Sequence, residues 1–584
     1  MTRDKHGRAL IAVLGFLVAI LLATVRPGLF SIDESSYIAT ITGLRDGGLA
    51  IAASERLAPS PALYAFDAAP RSRPTKVPVT SSSPPLFAPI ALPFSYGGVR
   101  GLMALQILSF AACAGLVFSF VRRHTHRVDL AWLAFGTFVV GSFALEYAQA
   151  VWPHALAMAL VMGAFDLASR VRTGGSAWLA AGAGACVAIA AGLRYQNTVL
   201  VATIGAGLLL VNAAGRPRLR VALLAFALGA APIILVSSAM NYTRHGSWNP
   251  TSKGSGYLKI VYKNTEGSHL VTQAITSTWS RVVDYSTWPT NPTGMIADAS
   301  GAMVLDGRFK KALLQSSPWA IIPLLAMLLA LRKREDESSE LRRELLAAGL
   351  VVAGTIGMFA IYGHRRDDGW SFNQRYFLEL MPLLVAGLAI SLTRVTLSWR
   401  ALAVGAAVAF AAAMAVLLLD SQATWRSFVV MRIPIVLALV VAALWFFARE
   451  SPHPRAVGAV VGAALGWAAA MQLGNDLPGA RGRRAFNAEQ LATMESVLPR
   501  EPSALFVYWG AKDPYGALPL DHDVIVVDPW IDDGMTARVV VDSALASGRR
   551  VFTLAMPTPT LQAMTANLRV ARVPGPVRLL EIQR

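Results

Sequence analysis

Uncharged apolar runs of roughly twenty residues, the length of helix that crosses the hydrocarbon of a bilayer, recur from residue 9 to residue 473 and are separated by short arginine-rich connectors. The pattern predicts a polytopic α-helical membrane protein of about thirteen transmembrane helices, the first at residues 9–25 and the last at 456–473. Residues 84–96 interrupt it, being apolar but short and broken by proline. They are expected to form a hairpin or short helix dipping into the outer leaflet, where protein or water satisfies the freed backbone groups. From Gly474 the composition shifts, and runs at 504–509, 523–527, 538–546 and 550–554 alternate between strand-like and helix-like, which predicts a small α/β unit. The chain is thus expected to divide into a transmembrane part, residues 1–473, with outer loops at 26–83 and 239–317, and an extracytoplasmic α/β domain, residues 474–584.

Composition excludes a purely soluble protein: of 584 residues 54% are hydrophobic and only 15% charged, against roughly 25% charged in an average soluble chain. The formal charge of +18 suggests nucleic acid in a soluble protein; here the anchoring of inner loops explains much of it. Arg3, Lys5 and Arg8 place the N-terminus inside, ahead of an uncleaved first helix, and the basic connectors at Arg122-Arg123, Arg170/Arg172, Arg216/Arg218/Arg220, 332–343, Arg394/Arg400 and Arg449/Arg455 then fall on the same side. Nothing in that inner set looks catalytic. Cys113 and Cys186 both lie in apolar runs, so a disulfide framework or cysteine metal site is not expected.

Polar chemistry gathers on the outer side. Directly after the first run come Ser31-Ile32-Asp33-Glu34, then Tyr37, Ile38, Ile41 and Leu44 at helical spacing, then the stop Asp46-Gly47-Gly48, which reads as a helix lying on the membrane with its apolar stripe on lipid. Ser31 and Glu34 make a capping box, and Asp33 suits a helix N-terminus. A partly desolvated carboxylate at the membrane boundary is also suited to act as general base on a hydroxyl; the two roles are compatible, since capping occupies Glu34 and leaves Asp33 available. The stretch 364–376 holds His364, Arg365, Arg366, Trp370, Arg375 and Tyr376, dense in groups that grip phosphate through paired charge-assisted bonds. The bland alternative is a solvated loop with belt aromatics. Glu146, Trp152 and His154 stand at another outer turn, and Arg194-Tyr195-Gln196-Asn197 forms a polar interruption between two runs: either an ordinary turn or a cavity-facing group, since ionisable residues at that depth are costly. No Walker loop, HExxH or GxGxxG is present, so the substrate itself is expected to carry the energy. The metal requirement is open: Asp33 with Glu34 or Glu146 is a set able to gather around one hard divalent cation.

The outer Asp33-Glu34-Ser35-Ser36-Tyr37-Ile38, the segment Pro84-Pro85-Leu86 and the late Gly369-Trp370-Ser371-Phe372 with Arg375-Tyr376, in that order and on one side, resemble the GT-C fold of polyprenyl-phosphate-sugar glycosyltransferases. That superfamily includes protein O-mannosyltransferases, aminoarabinose transferases and mycobacterial arabinosyl- and mannosyltransferases. The resemblance implies a bacterial inner-membrane enzyme that moves a sugar from a polyprenyl monophosphate, with inversion, to a hydroxyl on an envelope glycan, lipid or protein. By matching positions it implies Asp33 as base, Glu34 orienting the acceptor or the base, and Arg375 on the leaving phosphate with His364, Arg365 or Arg366 assisting; from their place at the outer turns Glu146, His154, Arg194, Trp370 and Tyr376 are added as candidate substrate contacts. Ser83 departs from the aminoarabinose subgroup, where a lysine precedes the proline pair; Lys76 lies further upstream, so another basic residue serves there or the donor is held differently.

Two other classes are weighed against this. A transporter or flippase of lipid-linked sugars also needs many spans and a basic outer mouth, but no inverted repeat or pair of broken helices is visible and charges are rare within the runs. In a non-catalytic scaffold, Asp33 and Arg375 are incidental.

Overall fold

Hydrocarbon offers a backbone amide no partner, so each apolar run closes its own hydrogen bonds as a helix. The computed structural model describes residues 2–30, 32–45, 84–210, 216–245, 247–250, 267–284, 295–297, 303–305, 311–332, 339–362, 373–419, 430–448, 453–499, 504–509, 515–520, 522–527, 535–555 and 559–584. In chain order the first helices are α1 (Thr2–Ala23), α2 (Ile32–Arg45), α3 (Phe87–Ser95), α4 (Gly98–Thr125), α5 (Val128–Val140), α6 (Ala144–Ala148), α7 (His154–Arg172), α8 (Leu179–Leu193), α9 (Thr198–Gly207), α10 (Arg216–His245) and α11 (Gly267–Val282). After a two-stranded antiparallel ribbon, β1 (Met295–Ala297) and β2 (Met303–Leu305), come α12 (Leu313–Ser316), α13 (Ile321–Leu329), α14 (Ser339–Tyr362), α15 (Met381–Leu392), α16 (Trp399–Leu419), α17 (Ile433–Ala448), α18 (Pro454–Met471) and α19 (Leu477–Val497).

Among the described residues, eight helices are long and apolar enough to cross a membrane, and five shorter apolar helices accompany them: Val128–Val140, Leu179–Leu193, Tyr195–Leu210, Pro318–Leu329 and Ile433–Phe447. The chain is an integral membrane protein. Its main core joins α4, α5, α7 and α8 to α13, α14 and α15 around Phe110, Trp152 and Trp319, whereas α1 turns Ile11 (72% exposed) and Phe16 (69%) outward. His126, in the left-handed conformation (φ 55°), ends α4 and lets the chain reverse into α5. Lipid tails are as apolar as the helices, so close backbone approach has to do much of the packing. On α18, a side chain at Gly458, Gly462 or Gly466 runs into the Ser398, Leu402 or Ala406 carbonyl of the α16 segment at 2.5, 2.0 and 2.1 Å.

Residues 84–96 contain α3, a nine-residue helix with Pro93 inside it. Helix α2 forms where the spacing places it, but its stripe does not rest on lipid. Ile38 and Ile41 are fully buried against Phe87, Ala88 and Ala91 of α3 and against Ala517 and Leu520 of a C-terminal 3-10 turn, Tyr515–Leu520. Protein supplies the cover that the sequence pattern attributes to lipid.

At Gly474 the chain stays helical: α18 passes through a π turn, Gln472–Asp476, straight into α19. A five-stranded sheet follows, built from β3 (Leu505–Trp509), β4 (Asp523–Val527), β5 (Val551–Leu554), β6 (Arg569–Arg572) and β7 (Leu579–Gln583), in the order β4-β3-β5-β7-β6. β3 pairs parallel with β4 and β5, and β7 pairs antiparallel with β5 and β6. Alternation sends Phe506 and Phe552 against Met494 of α19, and Leu505, Val507 and Val551 against Val541 and Ala544 of α20 (Met535–Ala546) and Met564 of α21 (Pro559–Thr565). The last two strands have no counterpart among the runs predicted from the sequence.

Candidate active site

The turn between α1 and α2 carries Asp33 into the first turn of α2; the Asp33 side chain lies outside the described part. Glu34 beside it is fully buried. Its carboxylate accepts hydrogen bonds from the Phe30 N–H, from the Val151 N–H at 2.8 Å, and from Arg484 Nη1 at 3.1 and 3.3 Å. The Phe30 N–H lies one residue before Ser31, the cap position of the predicted capping box, which is outside the described residues; the other two contacts tie the start of α2 to the 149–154 turn and to α19.

That turn leads to Trp152, around which the site is built. Tyr147 stacks on Trp152 (5.4 Å between centroids), Phe30 meets it edge-on (5.9 Å), and the His154 ring meets both Trp152 (5.5 Å) and Tyr147 (5.1 Å). The Arg375 guanidinium lies 5.5 Å from the Trp152 ring centre and 5.6 Å from that of Tyr376. Arg194, where the chain leaves α8 in an extended conformation, donates from Nη1 to His154 Nε2 at 3.0 Å and pairs with Glu379 at 3.2 Å, with His154 Nδ1 3.9 Å from the same carboxylate oxygen. His154, Arg194 and Glu379 are all buried. A buried guanidinium, Arg194, beside a half-buried one held against two aromatic faces, Arg375, is an arrangement suited to a substrate anion, because attraction is less screened there than in open water.

A second buried network adjoins the first through Glu146. Asn373 Nδ2 donates to Glu146 at 2.7 Å and to Asp476 at 2.9 Å, and its Oδ1 accepts from Ser316 Oγ at 2.6 Å. Lys311 Nζ pairs with both Asp476 oxygens at 2.6 and 2.5 Å, and Asn475 donates to Asp476 at 2.8 Å. Asp476 projects from the π turn, a local widening of the helix of the kind often found at functional sites.

Of the residues singled out from sequence, His154, Arg194, Arg375 and Tyr376 come together here, Glu34 joins through the Val151 N–H, and Glu146 sits at the edge in the asparagine network. His364, Arg365, Arg366 and Trp370 lie outside the described residues. Sequence reasoning missed Glu379, Lys311, Asp476 and Arg484. Glu379 left a usable signal, a lone carboxylate among Phe377, Leu378, Leu380 and Met381, since such a charge is costly unless paired. Asp476 left a similar signal, being the lone acid between Glu450 and Glu489 at the end of the last apolar run, whereas Lys311 and Arg484 stand beside Lys310 and Arg483, where nothing marks one charge above its neighbour. Among the described residues no group of three or more His, Cys, Asp or Glu converges as a metal site. The Asp33 side chain of the candidate cation set lies outside the described residues, Glu34 is held by N–H donors, and one Glu146 oxygen accepts from Asn373.

No family model matches the chain, and no curated protein matches it. Among solved structures, ArnT from Cupriavidus metallidurans in the apo state superposes with a TM-score of 0.52 at 14% identity, over 100% of this chain and 98% of that one. The same protein bound to undecaprenyl phosphate gives 0.48 at 15% identity, over 98% and 97%. Arabinosyltransferase EmbB from Mycobacterium smegmatis gives 0.44 at 13%, over 82% of this chain and 42% of that one. End to end, the architecture of this chain is that of apo ArnT, the GT-C fold.

Proposed function

We propose that the protein is an inverting glycosyltransferase that moves a sugar from a polyprenyl monophosphate to a hydroxyl acceptor at the outer face of the membrane. The observation that carries the reading is the meeting of Arg375 and His154 at Trp152, with Arg194 bonded to His154, next to the turn that leads into Asp33. In this reading Asp33 removes the proton of the acceptor hydroxyl, whose oxygen attacks the anomeric carbon as the bond from that carbon to the phosphate oxygen breaks. Polyprenyl phosphate leaves carrying the negative charge. Arg375, with Arg194 behind it, stabilises that charge where it develops, and Glu34 and Glu379 hold the start of α2 and Arg194 in place.

The same reading sets the N-terminus and the connectors near Arg123, Arg172 and Arg332 in the cytoplasm. Residues 1–473 form the transfer domain and 474–584 an outer α/β domain, with His364, Arg365, Arg366, Trp370 and Tyr376 lining the donor's approach. The test is purified protein in lipid, offered a panel of polyprenyl-phosphate pentoses, hexoses and aminopentoses with a cell-envelope extract as acceptor. One donor should release polyprenyl phosphate and give a glycoside whose anomeric configuration, read by NMR, is opposite to the donor's. Retained configuration, or no release from any donor, contradicts the proposal.

A further inference from the structure

We propose that α19, the helix linking the bundle to the C-terminal sheet, is the positioning element of the candidate catalytic turn, with Arg484 as its central positioning residue. The proposal rests on the reading of Asp33 as base and adds what sets that base in place.

Residues 25–30, between α1 and α2, form no helix or strand, and Gly28, Leu29 and Phe30 are buried. Their carbonyls therefore need partners from elsewhere in the fold. All three are met from one helix: Arg484 Nη1 donates to Gly28 O at 3.1 Å, Asn487 Nδ2 to Leu29 O at 2.6 Å, and Arg483 Nε to Phe30 O at 2.8 Å. One turn earlier, Arg481 donates to Thr24 Oγ1 at 2.9 Å and to Gln149 Oε1 at 3.1 Å. Arg484 also pairs with Glu34, the residue next to Asp33, so a single guanidinium joins the start of the turn to the start of α2. The fit is direct: a side-chain carbon on Gly28 lies 1.8 Å from the Arg484 carbonyl oxygen and 2.6 Å from the Ala488 nitrogen.

The far end of α2 is held by the same C-terminal unit. Arg45 donates to Leu520 O at 2.9 Å, and Ala517 and Leu520 cover Ile38 and Ile41. Leu491 of α19 packs both on this cluster and on the one beneath the sheet. The C-terminal unit thus grips α2 at both ends, and a displacement of the sheet moves α19 and the base together. Charge-assisted bonds to the Gly28 and Phe30 carbonyls, with the neutral Asn487 amide on Leu29 between them, fix the turn in direction as well as position, which a general base requires, since misplacement by about 1 Å costs on the order of 100-fold in rate.

The test uses the full chain in lipid nanodiscs and the variants Arg484→Ala and Gly28→Ala. Release of polyprenyl phosphate from the polyprenyl-phosphate sugar panel should fall about 10- to 100-fold in kcat, with the donor KM changed by no more than about threefold. Amide exchange over residues 24–45 should speed up at least about tenfold while residues 399–419 keep their protection. Arg484→Lys, which keeps the charge and loses the fork, should recover part of kcat. Unchanged kcat in both variants, or a loss that appears in KM alone, overturns the proposal. If Arg484→Ala does not fold, Asn487→Ala removes one bond and should give the same pattern at smaller amplitude; wild-type kcat and exchange in that variant count against the clamp. Should the wild type turn over no lipid-phosphate sugar, the glycosyltransferase reading fails, and exchange alone decides: faster exchange confined to 24–45 supports the clamp, and unchanged exchange overturns it.

Discussion

At one end of the bundle Arg172 lies buried against Glu344 in a two-pronged pair of 3.1 and 2.6 Å, Arg123 and Arg170 share Asp166, and His124 meets Glu340. At the other end Arg194 shares Glu379 with His154, and Arg375 lies across the rings of Trp152 and Tyr376. Helix α7 begins at His154 and ends at Arg172, so its length of about 28 Å separates the clusters. In the first, each guanidinium is paired with a carboxylate of a neighbouring helix or turn, and Arg172 and Arg123 also lie 5.0 and 5.4 Å from the Phe165 and Phe120 ring centres. The Arg172 and Glu344 side chains are both 1% exposed. Such a pair is self-sufficient, because the partner offsets the cost of desolvation. In the second, Arg194 shares its carboxylate with a histidine, and Arg375, only half-buried, lies against the rings of Trp152 and Tyr376. Neither burial nor an aromatic neighbour marks a site by itself; the Trp152 end differs in its half-buried Arg375 and in the histidine that shares the carboxylate of Arg194.

This contrast ranks substitutions by their effect on turnover. Arg375→Ala should cost about 100- to 1,000-fold in kcat/KM for the lipid-phosphate donor, the usual consequence of losing one donor to a developing oxyanion, read by polyprenyl phosphate release. Equal activity moves the phosphate site away from Trp152. Glu379→Gln keeps the shape around Arg194 but removes its counter-charge, and is expected to lower kcat about tenfold by loosening Arg194 and His154; steady-state kinetics of the variant checks this. Glu344→Ala should leave turnover per folded molecule at the wild-type value while stranding Arg172. It should destabilise the protein by about 3–5 kcal/mol, seen as a lower melting temperature in lipid. A specific loss of kcat without loss of stability erases the distinction between the two ends. Asp129→Asn breaks the exposed pair with Arg127 (2.5 Å, side chains 39% and 40% exposed) and should change stability by less than about 1 kcal/mol and turnover not at all.

The helices of the membrane part were legible because hydrocarbon enforces one periodicity and one length, and α2 was legible from Tyr37, Ile38, Ile41 and Leu44. What covers Ile41 was not, since an apolar stripe looks the same whether lipid or the Tyr515–Leu520 turn lies on it. Arg375, Arg194 and His154 stood out as polar groups at the ends of apolar runs. Their meeting at Trp152 depends on packing between elements distant in sequence, which no local pattern records. The pairings that complete the buried networks were hidden for the same reason: Asp476 belongs with Lys311, 165 residues away, and Glu34, itself legible, with Arg484, 450 residues away.

The central claim is that the end of the bundle bearing Trp152 and α2 performs the transfer, with Asp33 as base. Its most direct test is a single-turnover measurement of Asp33→Asn in lipid with the donor prebound. Loss of a general base predicts that the transfer step slows about 1,000-fold while donor affinity stays within about threefold of wild type. Transfer at the wild-type rate in Asp33→Asn contradicts the claim.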